Sequence, residues 1–204
     1  MNECTFENKL LNKRESNDIS LIPFIIVLAL FIAIMFFNAT YQRIYVVGSS
    51  MEDTLYGAPD NNPSNIGGDY VYIFKAKPQR GDIVVIRKDD KAIIKRVIAI
   101  GGDKVEVKLG KVYLNDKELV EPYVSEDNND SLSILKQCSY TVNKGEIFVL
   151  GDNRDNSLDS RDYGPLPESD LIGIVAEWSL TYKGFVTAIN TFFEFTLPSW
   201  FGVK

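Results

Sequence analysis

Residues 19–37 read ISLIPFIIVLALFIAIMFF, nineteen positions without a charge. As a helix this run reaches about 29 Å, against a hydrocarbon core of roughly 30 Å, which is long enough to cross a bilayer. Pro23 falls in the first turn or two, where a missing N–H does least damage. A helix buried in a soluble core normally carries a polar stripe at helical spacing, and this run has only Ser20 near its start. A cleaved secretory leader has a shorter apolar region of about 7–15 residues, and no A-x-A follows Phe37. The pattern therefore predicts a retained transmembrane helix over 19–37. Lys9, Lys13 and Arg14 precede it, while Arg43 is the one basic residue in about the next thirty. The positive-inside rule then places residues 1–18 in the cytoplasm and the rest of the chain outside.

Beyond the span the apolar pattern shortens to strand-sized runs: 69–74, 82–87, 92–100, 104–109, 111–114, 133–142, 146–150 and 171–180. In 104–109, Val105, Val107 and Leu109 alternate with Glu106 and Lys108, as a half-buried strand requires. Gly110 can turn the chain into 111–114, and Asn115-Asp116 makes a second turn. Short strands with hairpin-length gaps and no convincing amphipathic helix indicate a mainly β, antiparallel domain over 38–182. Loops are expected at 57–68 (GAPDNNPSNIGG) and 125–131 (SEDNNDS). The tail 183–204 is rich in aromatics, including Phe185, Phe192, Trp200 and Phe201. It can rest on the bilayer surface, where such rings are favoured, or pack on the β domain.

Composition narrows the chemistry. An apolar content of 45% with 12% aromatics supports a core, and 28 acidic against 22 basic residues, with no basic block, argues against nucleic acid as a partner. The chain has no histidine. That excludes Ser-His-Asp and Cys-His mechanisms and HExxH zinc sites together, so any nucleophile needs another base. Cys4 and Cys138 fall on opposite sides of the predicted membrane, which rules out a disulfide between them, and they make no metal set.

A lysine amine can activate a hydroxyl if it is neutral when it must take the proton. At pH 8 only about one ordinary lysine in 250 is neutral, and lowering its pKa to about 8 takes roughly 3.3 kcal/mol of differential interaction. Burial among apolar neighbours is the usual source. Lys95 sits inside AIIKRVIAI, sharing a strand face with Ile93 and Val97, while Arg96 shares the other with Ile94 and Ile98. Ser49 and Ser50 follow Gly48, which permits a sharp turn exposing a hydroxyl and a backbone N–H together. Spacing does not choose between the two serines. The polar run GDNRDNSLDSRD at 151–162 mixes Arg154 and Arg161 with its acids, which suits a network of charge-assisted bonds better than a calcium loop.

Together these segments resemble the type I signal peptidases. The likeness runs in order over Ser50-Met51 with Thr54-Leu55, Arg80-Gly81-Asp82-Ile83-Val84-Val85, Lys95-Arg96 before Gly101-Gly102-Asp103, and 151–157 with Asp159-Ser160-Arg161. The resemblance implies a membrane-bound serine endopeptidase that removes signal peptides from exported preproteins, without a cofactor or metal. It implies Ser50 as nucleophile, since the family serine directly precedes the methionine, and Lys95 as general base. Ser157 would orient the lysine amine, with Asp159–Arg161 and Asp152–Arg96 as supporting ion pairs. Pockets for small side chains would involve Met51, Leu55, Val46 and Ile93. Where the family usually has proline this chain has Asp53, preceded by Glu52. These acids are expected to repel a developing oxyanion or raise the pKa of Lys95. Gly48 lacks the hydroxyl that some members place there, which leaves Ser49 as a candidate second donor. The reading from another class is a catalytically silent, membrane-tethered β domain that binds exported proteins.

Overall fold

The computed structural model describes residues 21–52, 54–59, 67–125 and 136–196. The chain divides into two compact units, residues 1–41 and 42–204. In the first, α1 (Leu21–Thr40) is a 20-residue helix with no buried residue. It is apolar on every side, the pattern of a helix that meets lipid rather than a polar solvent. The helix is long and apolar enough to cross a membrane. Residues 19 and 20 lie outside the described residues, and the helix runs three residues past the predicted end, to Thr40, whose Oγ1 donates to Phe36 O at 2.9 Å.

The second unit is built from two antiparallel sheets. The larger comprises β1 (Gln42–Tyr45), β2 (Tyr70–Phe74), β3 (Ile83–Lys88), β4 (Lys91–Ile100), β9 (Glu146–Leu150), β10 (Leu166–Pro167) and β11 (Leu171–Val175). Their spatial order is β1-β2-β11-β3-β4-β9-β10. The smaller comprises β5 (Lys104–Lys108), β6 (Lys111–Leu114), β7 (Lys117–Glu118) and β8 (Cys138–Thr141), ordered β7-β6-β5-β8. Among the described residues, four helical segments complete the unit: α2 (Ser160–Tyr163), a 3-10 turn (Glu168–Asp170), α3 (Glu177–Thr181) and α4 (Lys183–Thr196).

Local chemistry accounts for the hairpins. Leu109 and Gly110 have φ of 50° and 76°, and Asn115 and Asp116 have 52° and 66°. Two consecutive left-handed residues are what a two-residue turn needs to match the twist of its strands. Alternation accounts for the packing. Along β3, Ile83 and Val85 enter one apolar cluster with Val46, Met51 and Leu55, while Val84 and Ile86 enter another with Val97 and Val149. A third cluster, centred on Phe148, Ile98 and Val105, joins the two sheets. Strand β4 is paired on both edges, Lys95 opposite Val84 and Arg96 opposite Leu150. That position carries Lys95 into the interior.

Three sequence expectations need correction. Strand β1 was not expected, because four residues with one clear apolar position give too little alternation to stand out. The strand predicted over 171–180 stops at Val175, and 177–181 form α3, closed by Ser179 Oγ donating to Ala176 O at 2.8 Å. Helix α4 contradicts the absence of an amphipathic helix and packs its inner side on β2, with Val186 and Asn190 buried. Parts of the loops predicted at 57–68 and 125–131, and residues 197–204 of the aromatic tail, lie outside the described residues.

Phe148 has no exposed surface and its ring lies 5.7 Å from that of Tyr140. Phe148→Ala is expected to cost about 3–5 kcal/mol of stability by opening a cavity between the sheets. Denaturant unfolding followed by tryptophan fluorescence measures this.

Candidate active site

The turn after β1 is held by backbone bonds to a neighbouring segment. Ala58 N donates to Val46 O at 3.0 Å and Gly48 N donates to Ala58 O at 2.8 Å. Gly57 passes so close that a Cβ there would sit 1.9 Å from Gly48 O. Beyond the turn, Asn153 N donates to Ser50 O at 3.1 Å. Gly151 leaves no room either, since a Cβ would lie 2.4 Å from both Ser50 O and Ser157 Oγ. The turn that carries Ser50 is thereby held by Gly57 against Gly48 and by Gly151 against Ser50.

Strand β4 brings Lys95 to the same place. Its Nζ donates to Ser50 Oγ at 2.6 Å and to Ile94 O at 2.9 Å, and the residue is 4% exposed. Burial pulls the amine down from its ordinary 10.5 to about 8. Asp159 and Asp152 oppose that shift and Arg161 assists it. The two carboxylates are engaged elsewhere. Arg161 Nη2 meets Asp159 Oδ2 at 2.9 Å, and Arg96 Nη2 meets Asp152 Oδ2 at 2.6 Å. Burial would raise the Asp159 carboxyl, but the Arg161 guanidinium, the Gly151 N–H and the Ser157 hydroxyl together hold it below the usual range.

Both supporting pairs predicted from sequence are thus present, and Ser50, not Ser49, meets the lysine. The expected Ser157–Lys95 bond is not made. Ser157 Oγ is buried with no partner at hydrogen-bond geometry, although its hydroxyl is near enough to Asp159 to favour the carboxylate. Val46 and Ile93 line a pocket of about 350 Å³ beside Ser50 and Lys95, together with Ile44, Val85, Ile94 and Ile172. Met51 and Leu55 have no exposed surface and pack in the core beneath it. A second, more polar cleft of about 720 Å³ opens on Ser49, Ser50, Glu52, Lys95 and Asn156.

A family described as signal peptidase, peptidase S26, matches residues 19–179. The chain belongs to this family. It is 33% identical over 171 residues to signal peptidase I U of Bacillus subtilis, covering 80% of this chain and 88% of that protein. Signal peptidase I T of the same organism is 33% identical over 156 residues, covering 72% and 78%. Thylakoidal processing peptidase 1 of Arabidopsis thaliana is 31% identical over 158 residues, 71% of this chain and 44% of that one. A crystal structure of a signal peptidase I from Enterococcus faecalis shares 30% identity over 50% of this chain and 98% of its own, with a TM-score of 0.42. The protein is accordingly a serine endopeptidase of the signal peptidase class, which acts on preproteins bearing signal peptides.

Several residues of this signal peptidase site escaped the sequence reading. Thr54 Oγ1 donates to Asp152 Oδ2 at 2.5 Å. The Arg96 guanidinium lies 3.9 Å from the centre of the Tyr123 ring, and Tyr123 donates to Glu121, which accepts a two-point bond from the buried Arg154. Arg161 Nη2 closes the network on Arg154 O at 2.7 Å. Nothing local marks Glu121 or Tyr123, because their partners are about thirty residues away in sequence. Asp159 and Asp152 both favour the charged amine, and Glu52 receives a 3.5 Å contact from Asn153 Nδ2. Asp53 lies outside the described residues.

Two measurements test this arrangement. The unfolded chain holds a proton on Lys95 up to pH 10.5, whereas the native site releases it near 8, so native stability should climb between these values. The gain should be on the order of 3 kcal/mol. It should vanish in Lys95→Met, which removes the titrating amine. A wild-type stability curve that is flat over this interval would place the amine in water. Separately, Gly151→Ala should lower activity at least about 100-fold by displacing Ser50, a loss of roughly 3 kcal/mol in transition-state stabilisation. Unchanged turnover would show that the turn tolerates the added methyl.

Proposed function

We propose that Ser50 is the nucleophile and Lys95 the general base of this signal peptidase. The observation that carries this reading is the 2.6 Å contact between Lys95 Nζ and Ser50 Oγ, made by an amine that burial brings to about 8. With the lysine neutral, Ser50 Oγ attacks the scissile carbonyl carbon while its proton passes to Nζ. The tetrahedral adduct collapses as the C–N bond breaks, and Nζ returns the proton to the departing amine. The neutral lysine then takes a proton from water, whose oxygen attacks the Ser50 ester; as the ester C–O bond breaks, Nζ returns that proton to Ser50 Oγ and the signal peptide leaves as the carboxylic acid.

Supporting roles follow from the surroundings. Asp152 with Arg96, and Asp159 with Arg161, hold the walls of the site while each arginine neutralises a carboxylate that would otherwise favour the charged lysine. Ser157, buried beside Gly151, is the residue available to orient the amine once substrate displaces the resting contacts. Ser49 Oγ accepts from Asn156 Nδ2 at 2.5 Å, which leaves its own hydrogen to donate into the cleft as the second oxyanion partner beside the Ser50 N–H. The 350 Å³ pocket, walled by branched aliphatic side chains, suits the small residues that precede a signal-peptide cut.

The same reading makes α1 a single membrane anchor, with residues 1–18 cytoplasmic and the β domain on the far side. Anchoring holds enzyme and scissile bond in one thin layer, which raises their effective concentration.

Ser50→Ala and Lys95→Ala should each abolish cleavage of a preprotein after a small-x-small motif in detergent. Full activity in either variant would remove the dyad. Cleavage by the wild type should rise with pH through about 8, as Lys95 loses its proton. A profile flat from mildly acid to alkaline conditions would exclude a lysine base. Ser157→Ala should lower kcat, because an amine that is not held toward the Ser50 hydroxyl takes its proton less often.

A further inference from the structure

The segment 54–58 touches both halves of the site. At one end Thr54 Oγ1 donates to Asp152 Oδ2, the carboxylate paired with Arg96, whose neighbour in β4 is Lys95. At the other, Ala58 exchanges backbone bonds with Val46 and Gly48 at the turn that leads into Ser50. A shift of this segment therefore moves the serine against the lysine. Part of what holds it comes from outside the site. Lys183, the first residue of α4, donates from Nζ to Thr54 O at 2.7 Å, and its amine lies 4.9 Å from the centre of the Tyr56 ring. Asp69 closes the arrangement. Its Oδ2 accepts from Tyr56 N at 2.9 Å and lies 3.7 Å from Lys183 Nζ, while Asp69 N donates to Tyr56 O at 2.8 Å.

Local physics does not favour a lysine at that position. A cation in the first turn of a helix opposes the helix dipole, and the contacts to Thr54, Tyr56 and Asp69 offset that loss. The backbone of Lys183 is fixed in turn. Thr187 Oγ1 accepts from Tyr70 N and Asn190 Oδ1 accepts from Arg43 Nη1, each at 2.9 Å, which pins α4 to β2 and β1. We propose that Lys183 is a positioning residue for the peptidase reaction: from α4 it clamps the segment 54–58 and so keeps Ser50 Oγ within reach of Lys95 Nζ. The inference rests on the reading of those two residues as nucleophile and base. Neither Lys183 nor Asp69 lines the pocket or the cleft beside Ser50, so the clamp bears on turnover more than on substrate binding.

The test compares Lys183→Met and Lys183→Arg with the wild type, as full-chain enzyme in detergent acting on a preprotein cut after a small-x-small motif. Lys183→Met keeps an apolar stem over Tyr56 and removes the amine, whereas an arginine there can still donate to Thr54 O and face Asp69. Lys183→Met should lower kcat about 10–100-fold with KM within about twofold of the wild type, the pattern of a group that acts on the transition state. Lys183→Arg should recover most of that loss. The thermal unfolding midpoint of each variant should fall by no more than about 5 °C. An unchanged kcat in Lys183→Met overturns the proposal. So does a raised KM at unchanged kcat, which would put Lys183 in contact with substrate. A Lys183→Arg variant as slow as Lys183→Met overturns it as well, and a larger fall in the unfolding midpoint reduces Lys183 to a stabilising residue. Ser50→Ala, assayed beside them, separates the two readings. Activity in Ser50→Ala removes the dyad and the clamp with it, whereas an inactive Ser50→Ala with normal turnover in Lys183→Met removes the clamp alone.

Discussion

A lysine amine taken out of water is the constraint around which this site is built. The charged form loses hydration it cannot fully recover, so its pKa falls, and the fall is what makes a base available near neutral pH. The same low-dielectric interior magnifies every neighbouring charge. Asp159 and Asp152 are near enough to pull the amine back toward its protonated form. The structure answers this by giving each carboxylate its own arginine, with Arg161 assisting the lysine shift directly. The polar run after β9 is therefore a charge-balancing device as much as a scaffold.

Position matters as much as basicity. Ser50 and Lys95 are separated by 45 residues, and their contact depends on two elements that share no local signal. One is the doubly paired strand β4, and the other is a turn pressed between Gly57 and Gly151. Both glycines are required by close approach of backbone to backbone, a demand invisible in either segment alone. Beneath the turn, Met51 and Leu55 act as core ballast that keeps the serine from sinking or tilting. This explains why residues adjacent to the nucleophile in sequence do not line the pocket beside it.

Much of the architecture was readable from pattern. The uncharged run of apolar residues specified α1 because only its length and lack of a polar stripe matter. Alternation specified β5, and paired left-handed residues specified the turns flanking β6, since those conformations depend on adjacent positions. The missing histidine directed attention to a lysine, and the ordered motifs selected Ser50 over Ser49. Strand β1 was too short to register. Helix α4 was missed because its run of phenylalanines was read as an aromatic tail and not at helical spacing.

By itself, then, the sequence determined the apolar span, the β character of the domain and the family to which the site belongs. Those properties reside in local spacing and in the order of short motifs. Only the tertiary structure decided that Lys95 is desolvated, that Asp159 and Asp152 act on it, that Glu121 and Tyr123 support Arg96, and which way α4 faces. Burial and charge balance are sums over neighbours from distant parts of the chain, so they take a value only once the sheets have brought those neighbours together.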